Sequence, residues 1–354
     1  MKSINPILIV ALATLCGPLA ISAAPVDGAS RNTAPNDDVV LMSYFRDNGN
    51  AGTFLCVSDD GLKFRPLNND KPILPPGKWP GQGRTRDPSI LYHDGKFRAV
   101  WTTNWTGRVF GYAESEDLVK WSEPVLVSPF PGESHPRDLP KSVWAPEIHW
   151  DPLQKNYLIL WSSNTPRLGG FRTFATRTTD GKTFMPAKLF FDPGIAVIDA
   201  QMLVDPSHPN AAQWLMVVKD ERAIKEGGKA LHLTTAPLDF SKPWKPLSPS
   251  VIGPGSTVRP EEMVEGGCLV KFGGEYRLYC DAFASKHYSL AKSPDLKTWT
   301  DLTPQLDLPK GVRHGTVFTA PRAAVGWLKA ADVSGGRAAK NSSDDREVPS
   351  TKNQ

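Results

Sequence analysis

The sequence has little that would build a helical, membrane-spanning or disulfide-bonded protein. Only four cysteines occur in 354 residues, and the apolar spacing of three to four residues that is typical of helices is scarce. Beyond the first 24 residues no apolar run approaches the length of about 18 residues that marks a membrane-spanning helix. The fold must therefore be held by its core, for which a chain of this length is ample.

A large excess of charge of either sign is also lacking. The formal net charge is +4, with 40% hydrophobic and 22% charged residues, which excludes disorder for most of the chain. The balance is neither basic enough for a nucleic-acid-binding face nor acidic enough for a solvating tail. No polyanion partner is implied.

The two ends differ from the middle. Lys2, an apolar stretch over Ile7–Ile21 and the small residues Ser22–Ala24 predict a signal peptide over residues 1–24, and hence a secreted or periplasmic protein. Cys16 leaves a lipoprotein as the alternative, although the leucine before it is bulkier than such signals normally tolerate. Residues 326–354 are small, polar and charged, which predicts a disordered tail.

Removal of the signal peptide would leave Cys56, Cys268 and Cys280, an odd number that argues against a disulfide framework. A two-residue hairpin turn at Gly273–Gly274 would leave Cys268 and Cys280 one residue out of register. We therefore expect buried free thiols.

Short alternating runs of strand type recur between Gly, Pro and Asp-Gly turns, as in "KFRAVWTT", "NYLILWSS" and "EYRLYCDA". A second pattern, an acidic turn followed by an aromatic residue, recurs at intervals of 56 to 63 residues. Its aspartates are Asp60, Asp117, Asp180, Asp239 and Asp295.

Five such units predict an all-β fold, a five-bladed β-propeller over residues 39–325 with four-stranded antiparallel blades around a central funnel. A β-sandwich is the alternative. The first unit lacks a leading strand, which "GTVFTAP" near residue 318 could supply by pairing the two ends of the chain.

The innermost strand of each blade starts at the axis, so residues at these starts should converge on one pocket. They are four carboxylates and one histidine: Asp87, Glu147, Asp199, Glu265 and His314. Gathered carboxylates in a partly dry funnel acquire different pKa values, so that one can act as an acid and another as a base. Glycoside hydrolysis requires that division. The alternative is that each acid caps a turn or pairs with Arg86, Arg259 or Arg313.

Four segments, "RDPSILYHDGKFRAVW", "SVWAPEIHWDPLQKNYLILWSS", "VIDAQMLVD" and "EGGCLVKFGGEYRLYCDA", resemble in this order the five-bladed family 43 glycoside hydrolases. The resemblance implies that Asp87 is the general base and Glu265 the general acid. It also implies that Asp199 is the carboxylate that raises the pKa of the acid and orients it. It further implies that His314 is the central histidine, which in several members lies near an axial water or calcium ion. A purely structural histidine is the alternative, and no cofactor is required.

Two features depart from that family. Glu265 is followed by Gly266–Gly267 rather than Gly-Pro, and the neighbouring Glu261 and Glu262 compete for the acid's role. Glu147 stands where aspartate is more usual, so we place it in the pocket with no assigned role.

The family's inverting chemistry would need carboxyl groups about 6.5 to 9.5 Å apart, with room for a water between them. Trp105 and Trp144 are candidates to stack on the sugar, and Arg86 and Arg313 could bond its hydroxyls or balance the acids. We expect a monomer that binds carbohydrate.

The substrate is the least determined expectation. The chain shows no β-sandwich of the kind that many xylosidases of the family append, which favours α-L-arabinofuranosides, with galactofuranosides, galactans and xylosides as alternatives. A retaining fructan hydrolase, a mannoside phosphorylase and a non-catalytic sugar-binding propeller also stay open.

Overall fold

The computed structural model describes residues 38–130, 136–205 and 212–326. Five antiparallel sheets stand around one axis as the blades of a propeller, as the repeats predicted. The predicted signal peptide and, apart from Gly326, the predicted tail lie outside these residues. No helix in the described segments is long and apolar enough to cross a membrane.

Blade 1 comprises β19 (Val317–Pro321), β1 (Asp38–Tyr44), β2 (Phe54–Ser58) and β3 (Arg65–Pro66), in order from the axis outward. Blade 2 comprises β4 (Arg86–His93), β5 (Lys96–Thr102), β6 (Phe110–Ser115) and β7 (Val125–Val127). Blade 3 comprises β8 (Trp144–Asp151), β9 (Asn156–Thr165), β10 (Gly170–Thr178) and β11 (Lys188–Phe191).

Blade 4 comprises β12 (Val197–Asp205), β13 (Gln213–Asp220) and β14 (Leu231–Pro237). Blade 5 comprises β15 (Glu265–Phe272), β16 (Glu275–Ala282), β17 (His287–Ser293) and β18 (Thr300–Asp301). Short 3-10 helices lie in the connections at Asn68–Asp70, Pro136–Asp138, Ile224–Glu226, Thr303–Gln305 and Arg322–Val325.

The ring closes as predicted, because the last strand pairs with the first. Asp38 faces Pro321 and Met42 faces Val317 across an antiparallel ladder. Blade 1 thus takes its inner strand from the C-terminal end of the domain and its other strands from the N-terminal end, so neither end leaves an open sheet edge.

The outermost segment of blade 4 is less regular than in the other blades. This segment bonds to β14 at intervals, through the amides of Lys245, Ser248 and Val251, without forming a regular ladder. Pro243, Pro246 and Pro249 interrupt this segment, and proline has no N–H to contribute to a ladder.

Four of the five acidic turns predicted from the repeat share one geometry, whereas Asp239 Oδ1 accepts only the Ser241 amide. In blade 1, Asp60 Oδ1 accepts hydrogen bonds from the amides of Leu62 and Lys63 at 2.8 and 2.9 Å, and from the Ser58 hydroxyl at 2.8 Å. Asp117, Asp180 and Asp295 form the same bonds in their blades. Each aspartate therefore closes the hairpin before an outer strand, which is a structural role.

The core lies between blades, where clusters of buried apolar residues join each blade to its neighbours. Cys56, Cys268 and Cys280 are buried free thiols, as expected. The strand register confirms the two-residue turn, because Phe272 pairs with Glu275 and Cys268 with Tyr279 rather than with Cys280.

Candidate functional site

Each inner strand begins with the same irregularity, a bulge in which one extra residue is inserted. The register shifts between Arg86 and Ser89 in β4, and the inner strands of blades 3, 4 and 5 repeat the shift. The residue inside each bulge has positive φ: Asp87 at 48°, Ala145 at 46°, Asp199 at 55° and Gly266 at 58°. Bulges redirect side chains, and strained non-glycine backbone of this kind concentrates at functional sites.

These bulges correct the expectation that the four carboxylates and the histidine occupy one equivalent position. In blade 1, Arg313 pairs with Phe45 and Val317 with Met42, so the register shifts by one residue here too and His314 takes the equivalent position, although its φ is not positive. Asp87, Asp199 and His314 therefore share one position, Glu265 lies one residue before it, and Glu147 lies two residues after it. The set forms three layers along the axis rather than one ring.

His314 is the centre of the middle layer. Its Nδ1 lies 3.5 Å from Asp87 Oδ1 and 3.9 Å from Asp199 Oδ2, and all three side chains are buried. Burial on its own lowers the pKa of His314, but the Asp199 and Asp87 carboxylates outweigh it, so the pKa is raised. The histidine is therefore placed to be an imidazolium between two carboxylates.

Asp199 is held by main-chain bonds on both sides. Its amide donates to Ser162 Oγ at 2.9 Å, and the Gly266 amide donates to its Oδ2 at 3.0 Å. Burial, assisted by the Glu265 charge and opposed by His314, raises the pKa of Asp199 to about 6. Glycine is needed at position 266, where φ is positive and a Cβ would lie 2.4 Å from His314 Cδ2.

Glu265 lies above this layer between two cations. Its Oε2 is 3.1 Å from Lys219 Nζ, and its Oε1 is 3.8 Å from Arg313 Nη2. Arg313 makes a closer bond, at 2.8 Å, to the buried Asp281. The proposed acid is therefore part of an ion-pair network and still reaches the cleft, because its side chain is 22% exposed.

The upper two layers open into a cleft of about 340 Å³, within the usual range of ligand pockets. Its lining comprises Arg86, Asp87, Thr102, Trp105, Trp144, Ala145, Ile198, Asp199, Lys219, Glu221, Lys229, Met263, Glu265, Phe283 and His314. Seven of the nine residues predicted for the site therefore lie around it.

Two tryptophans form an apolar wall at one side. Trp105 and Trp144 meet edge to face with ring centroids 5.9 Å apart, and Trp144 Nε1 donates to the Trp105 carbonyl at 2.9 Å. The Arg86 guanidinium stacks 4.0 Å from the Trp105 centroid and donates to Asn48 Oδ1. This wall can pack on the face of a sugar ring.

The two remaining predicted residues do not line the cleft. Glu147 lies in the lowest layer, fully enclosed, and accepts hydrogen bonds of 2.6 Å from the hydroxyls of Ser89 and Thr316. Burial raises its pKa to about 7. Arg313 is turned toward Asp281 and Glu265, so it balances the acids rather than facing a sugar.

Sequence reasoning missed eight residues of the lining: Thr102, Ala145, Ile198, Lys219, Glu221, Lys229, Met263 and Phe283. Lys219 ends the apolar run "WLMVV" of β13, and a charge there was the only signal of a site. No group of three or more His, Cys, Asp or Glu that could hold a metal ion occurs within the described segments, so calcium near His314 gains no support.

A family model described as "probable glycosyl hydrolase domain", of the family-43-related glycosyl hydrolases, matches residues 38–324. The chain belongs to this family. The resemblance to family 43 read from the four motifs is thereby confirmed, and the domain is a glycoside hydrolase. No protein with a curated description matches the chain.

Solved structures with a similar fold include three glycoside hydrolases. An exo-beta-1,3-galactanase from Phanerochaete chrysosporium shows 14% identity over 62% of this chain and 50% of its own, with a TM-score of 0.48. A thermostable family-43 glycoside hydrolase shows 18% identity over 66% and 78%, with a TM-score of 0.49. The catalytic domain of a GH62 alpha-L-arabinofuranosidase from Coprinopsis cinerea shows 14% identity over 64% and 69%, with a TM-score of 0.45. The chain thus spans half the length of the galactanase, and likeness at this level does not bear on its substrate.

Proposed function

We propose that this chain hydrolyses α-L-arabinofuranosides with inversion, with Asp87 as general base, Glu265 as general acid and Asp199 as the residue that adjusts the acid. One observation carries the proposal: three carboxylates from three blades line a single cleft beside an aromatic wall. A non-catalytic binding propeller would need the wall but not the carboxylates.

The chemistry follows from the two roles. Asp87 takes a proton from a water whose oxygen attacks the anomeric carbon, while Glu265 gives its proton to the departing glycosidic oxygen on the other face. The bond from carbon to the leaving oxygen breaks as the bond to the water oxygen forms. Asp87 then holds a proton and Glu265 is a carboxylate, and exchange with solvent resets both.

An uncharged sugar fits the charges of the cleft. Lys219 and Lys229 are already bound to Glu221, at 2.9 and 3.0 Å, and Arg86 is stacked on Trp105. No carboxylate or sulfate on the substrate is needed to balance them. Among neutral sugars, α-L-arabinofuranosides stay the first expectation, with galactofuranosides or galactans next.

The test combines a substrate panel with two variants. Wild-type protein is assayed on aryl α-L-arabinofuranoside, β-D-xyloside, β-D-galactoside and β-D-galactofuranoside, and NMR identifies the first anomer released. Glu265→Ala should lose about 100-fold or more in kcat on a poor leaving group but little on a 2,4-dinitrophenyl glycoside, whose departure needs no proton. Asp87→Ala should lose activity on both substrates.

Glu275→Gln is the matched control, because Glu275 is a surface carboxylate of the same blade, paired with Lys292 at 3.0 Å; its kinetics should equal those of the wild type. Wild-type turnover in both site variants would overturn the site assignment. Release of the retained anomer first would favour a fructan-type retaining enzyme, and dependence on phosphate a phosphorylase. Activity on galactosides alone would replace the sugar and keep the mechanism.

We further propose that the protein is secreted or periplasmic, on the strength of the N-terminal sequence. N-terminal sequencing of the protein recovered from its native host should find a chain that begins after Ala24. An uncleaved cytoplasmic chain would contradict this proposal without affecting the enzymatic one.

A further inference from the structure

One position of the second strand has the same task in three blades. It lies opposite the residue before the bulge, and its side-chain oxygen accepts the amide N–H of the bulge residue in the next blade. The pairs are Thr102 with Ala145 at 2.8 Å, Ser162 with Asp199 at 2.9 Å, and Asp281 with His314 at 3.0 Å. An acceptor at this position thus ties each blade to the next.

Blade 4 breaks the pattern with Lys219, which pairs with Ile198 at that position. A lysine ammonium has three donors and no acceptor, so it cannot take the Gly266 amide, which donates to Asp199 instead. Lys219 reaches the same next blade through its own Nζ, at 3.1 Å from Glu265 Oε2. Blade 4 therefore has an ion pair between Lys219 and the proposed acid where three other blades have a hydrogen bond from a main-chain amide to a side-chain oxygen.

Lys219 is fixed from three directions. Its side chain is 3% exposed, Nζ lies 2.9 Å from Glu221 Oε2, and Nζ lies 4.7 Å from the centroid of the Phe283 ring. Glu221 is itself bound by Lys229 Nζ at 3.0 Å. Charges therefore alternate along Lys229, Glu221, Lys219 and Glu265, and the ammonium has little freedom to leave the acid.

We propose that Lys219 is a positioning residue that holds Glu265 and sets the upper pH limit at which this acid works. The inference rests on the role of Glu265 proposed above. Charged groups face Glu265 from every neighbouring inner element. They are Lys219, Arg313, Asp199, Asp281 and His314. Of these, Lys219 makes the shortest ion pair with it.

The ammonium lies beside the group that gains a negative charge in the reaction. Lys219 Nζ, 3.1 Å from Glu265 Oε2, stabilises the carboxylate that forms as the leaving group takes the proton. A nearby cation favours the charged form of a carboxyl group over the neutral form. Removal of the charge of Lys219 is therefore expected to extend activity to higher pH.

The experiment measures the pH dependence of kcat/KM on a substrate with a poor leaving group. Lys219→Met keeps the length of the side chain and removes its charge, so the alkaline limb should move up by about one pH unit or more. Lys219→Arg should restore most of the wild-type profile. Glu221→Gln removes the anion that competes for Lys219, so its limb should move down.

Two controls separate a charge effect from a structural one. Lys292→Met removes a lysine with a similar ion pair, to Glu275 at 3.0 Å, at the end of blade 5 distant from Glu265, and should leave the limb in place. On a 2,4-dinitrophenyl glycoside, which needs no acid, the limbs of wild type and Lys219→Met should coincide.

The outcomes distinguish this inference from the proposed function. If Glu265→Ala loses activity but the Lys219→Met and Glu221→Gln limbs stay at the wild-type pH, the positioning role is wrong and the mechanism stands. If Glu265→Ala keeps wild-type turnover, the acid assignment itself is wrong. If Lys219→Met fails to fold, Glu221→Gln provides the test, because it keeps the lysine. Its alkaline limb should move to lower pH, and a limb that stays in place or moves to higher pH would refute the positioning role.

Discussion

Glu147 gives a prediction about stability that needs no substrate. It is enclosed beneath the catalytic layer, where burial raises its pKa from 4.5 to about 7 and the hydroxyls of Ser89 and Thr316 pull it down only in part. A raised carboxyl pKa means that the folded state prefers the protonated form. The stability contributed by that form is complete below about pH 4.5 and is lost as the pH rises through about 7.

The size of the effect follows from the shift. Each pKa unit corresponds to about 1.4 kcal/mol, so ionising Glu147 in the folded protein costs about 3 kcal/mol. Glu147→Gln keeps the shape and can still bond both hydroxyls, but it carries no charge. We expect the variant to match the wild type near pH 5 and to exceed its free energy of unfolding by up to about 3 kcal/mol near pH 8.5. The loss of one carboxylate beside His314 reduces this gain.

Urea unfolding followed by tryptophan fluorescence at the two pH values measures the difference. Glu275→Gln, a change at a solvated carboxylate, should show no gain that depends on pH. A variant that is equally stabilised at both pH values, or less stable than the wild type near pH 8.5, would refute the reasoning that burial governs Glu147.

Two further predictions concern the wall of the cleft and the closure of the ring. Trp105 is 48% exposed, so Trp105→Ala should raise KM about tenfold with little change in the free energy of unfolding. Trp101→Ala, in the core, should lower the free energy of unfolding by about 3 to 5 kcal/mol, and equal effects of the two variants on unfolding would contradict the assignment. A Cβ at Gly315 would lie 1.7 Å from the Ser43 carbonyl oxygen, so Gly315→Ala should cost about 3 kcal/mol or more, whereas Gly326→Ala, whose Cβ would find its nearest contact at 3.5 Å, should cost little. Thermal unfolding measures both pairs.

The architecture could be predicted because the turns repeat. Asp60, Asp117, Asp180 and Asp295 each close a hairpin with local bonds, and such local geometry leaves a pattern in the sequence. Pairing of the chain ends could also be predicted, because the first unit lacked a strand that a late segment could supply. The irregular outer segment of blade 4 had a signal as well, in Pro243, Pro246 and Pro249, but the regularity of the other units hid it.

The layering of the site could not be predicted in the same way. Sequence reasoning counted back to the start of each apolar run, which gives Asp87, Glu147 and Glu265 the same position in their blades. The structure has a bulge at the start of each of these strands, and the bulge shifts the register by one residue there. Glu147 lies two residues after the bulge position of its blade, so its side chain keeps the same face of the strand but lies about 6 to 7 Å farther along it. It therefore faces the enclosed base of the axis rather than the cleft in which sequence reasoning placed it.

The role of Lys219 could not be predicted from the sequence either. A lysine after a buried apolar run is most simply interpreted as the point where a strand meets solvent, because lysine is rarely buried without a partner. Its partners, Glu265 and Glu221, become visible only when blades 4 and 5 stand side by side, and the acceptors Thr102, Ser162 and Asp281 show what the position normally does. The departure carries meaning because three of the other four blades share this acceptor, whereas blade 1 has Phe45 at the position. In a repeat protein, a residue that cannot perform the structural role of its position is therefore a candidate for a functional role, either on the substrate or on a neighbouring side chain.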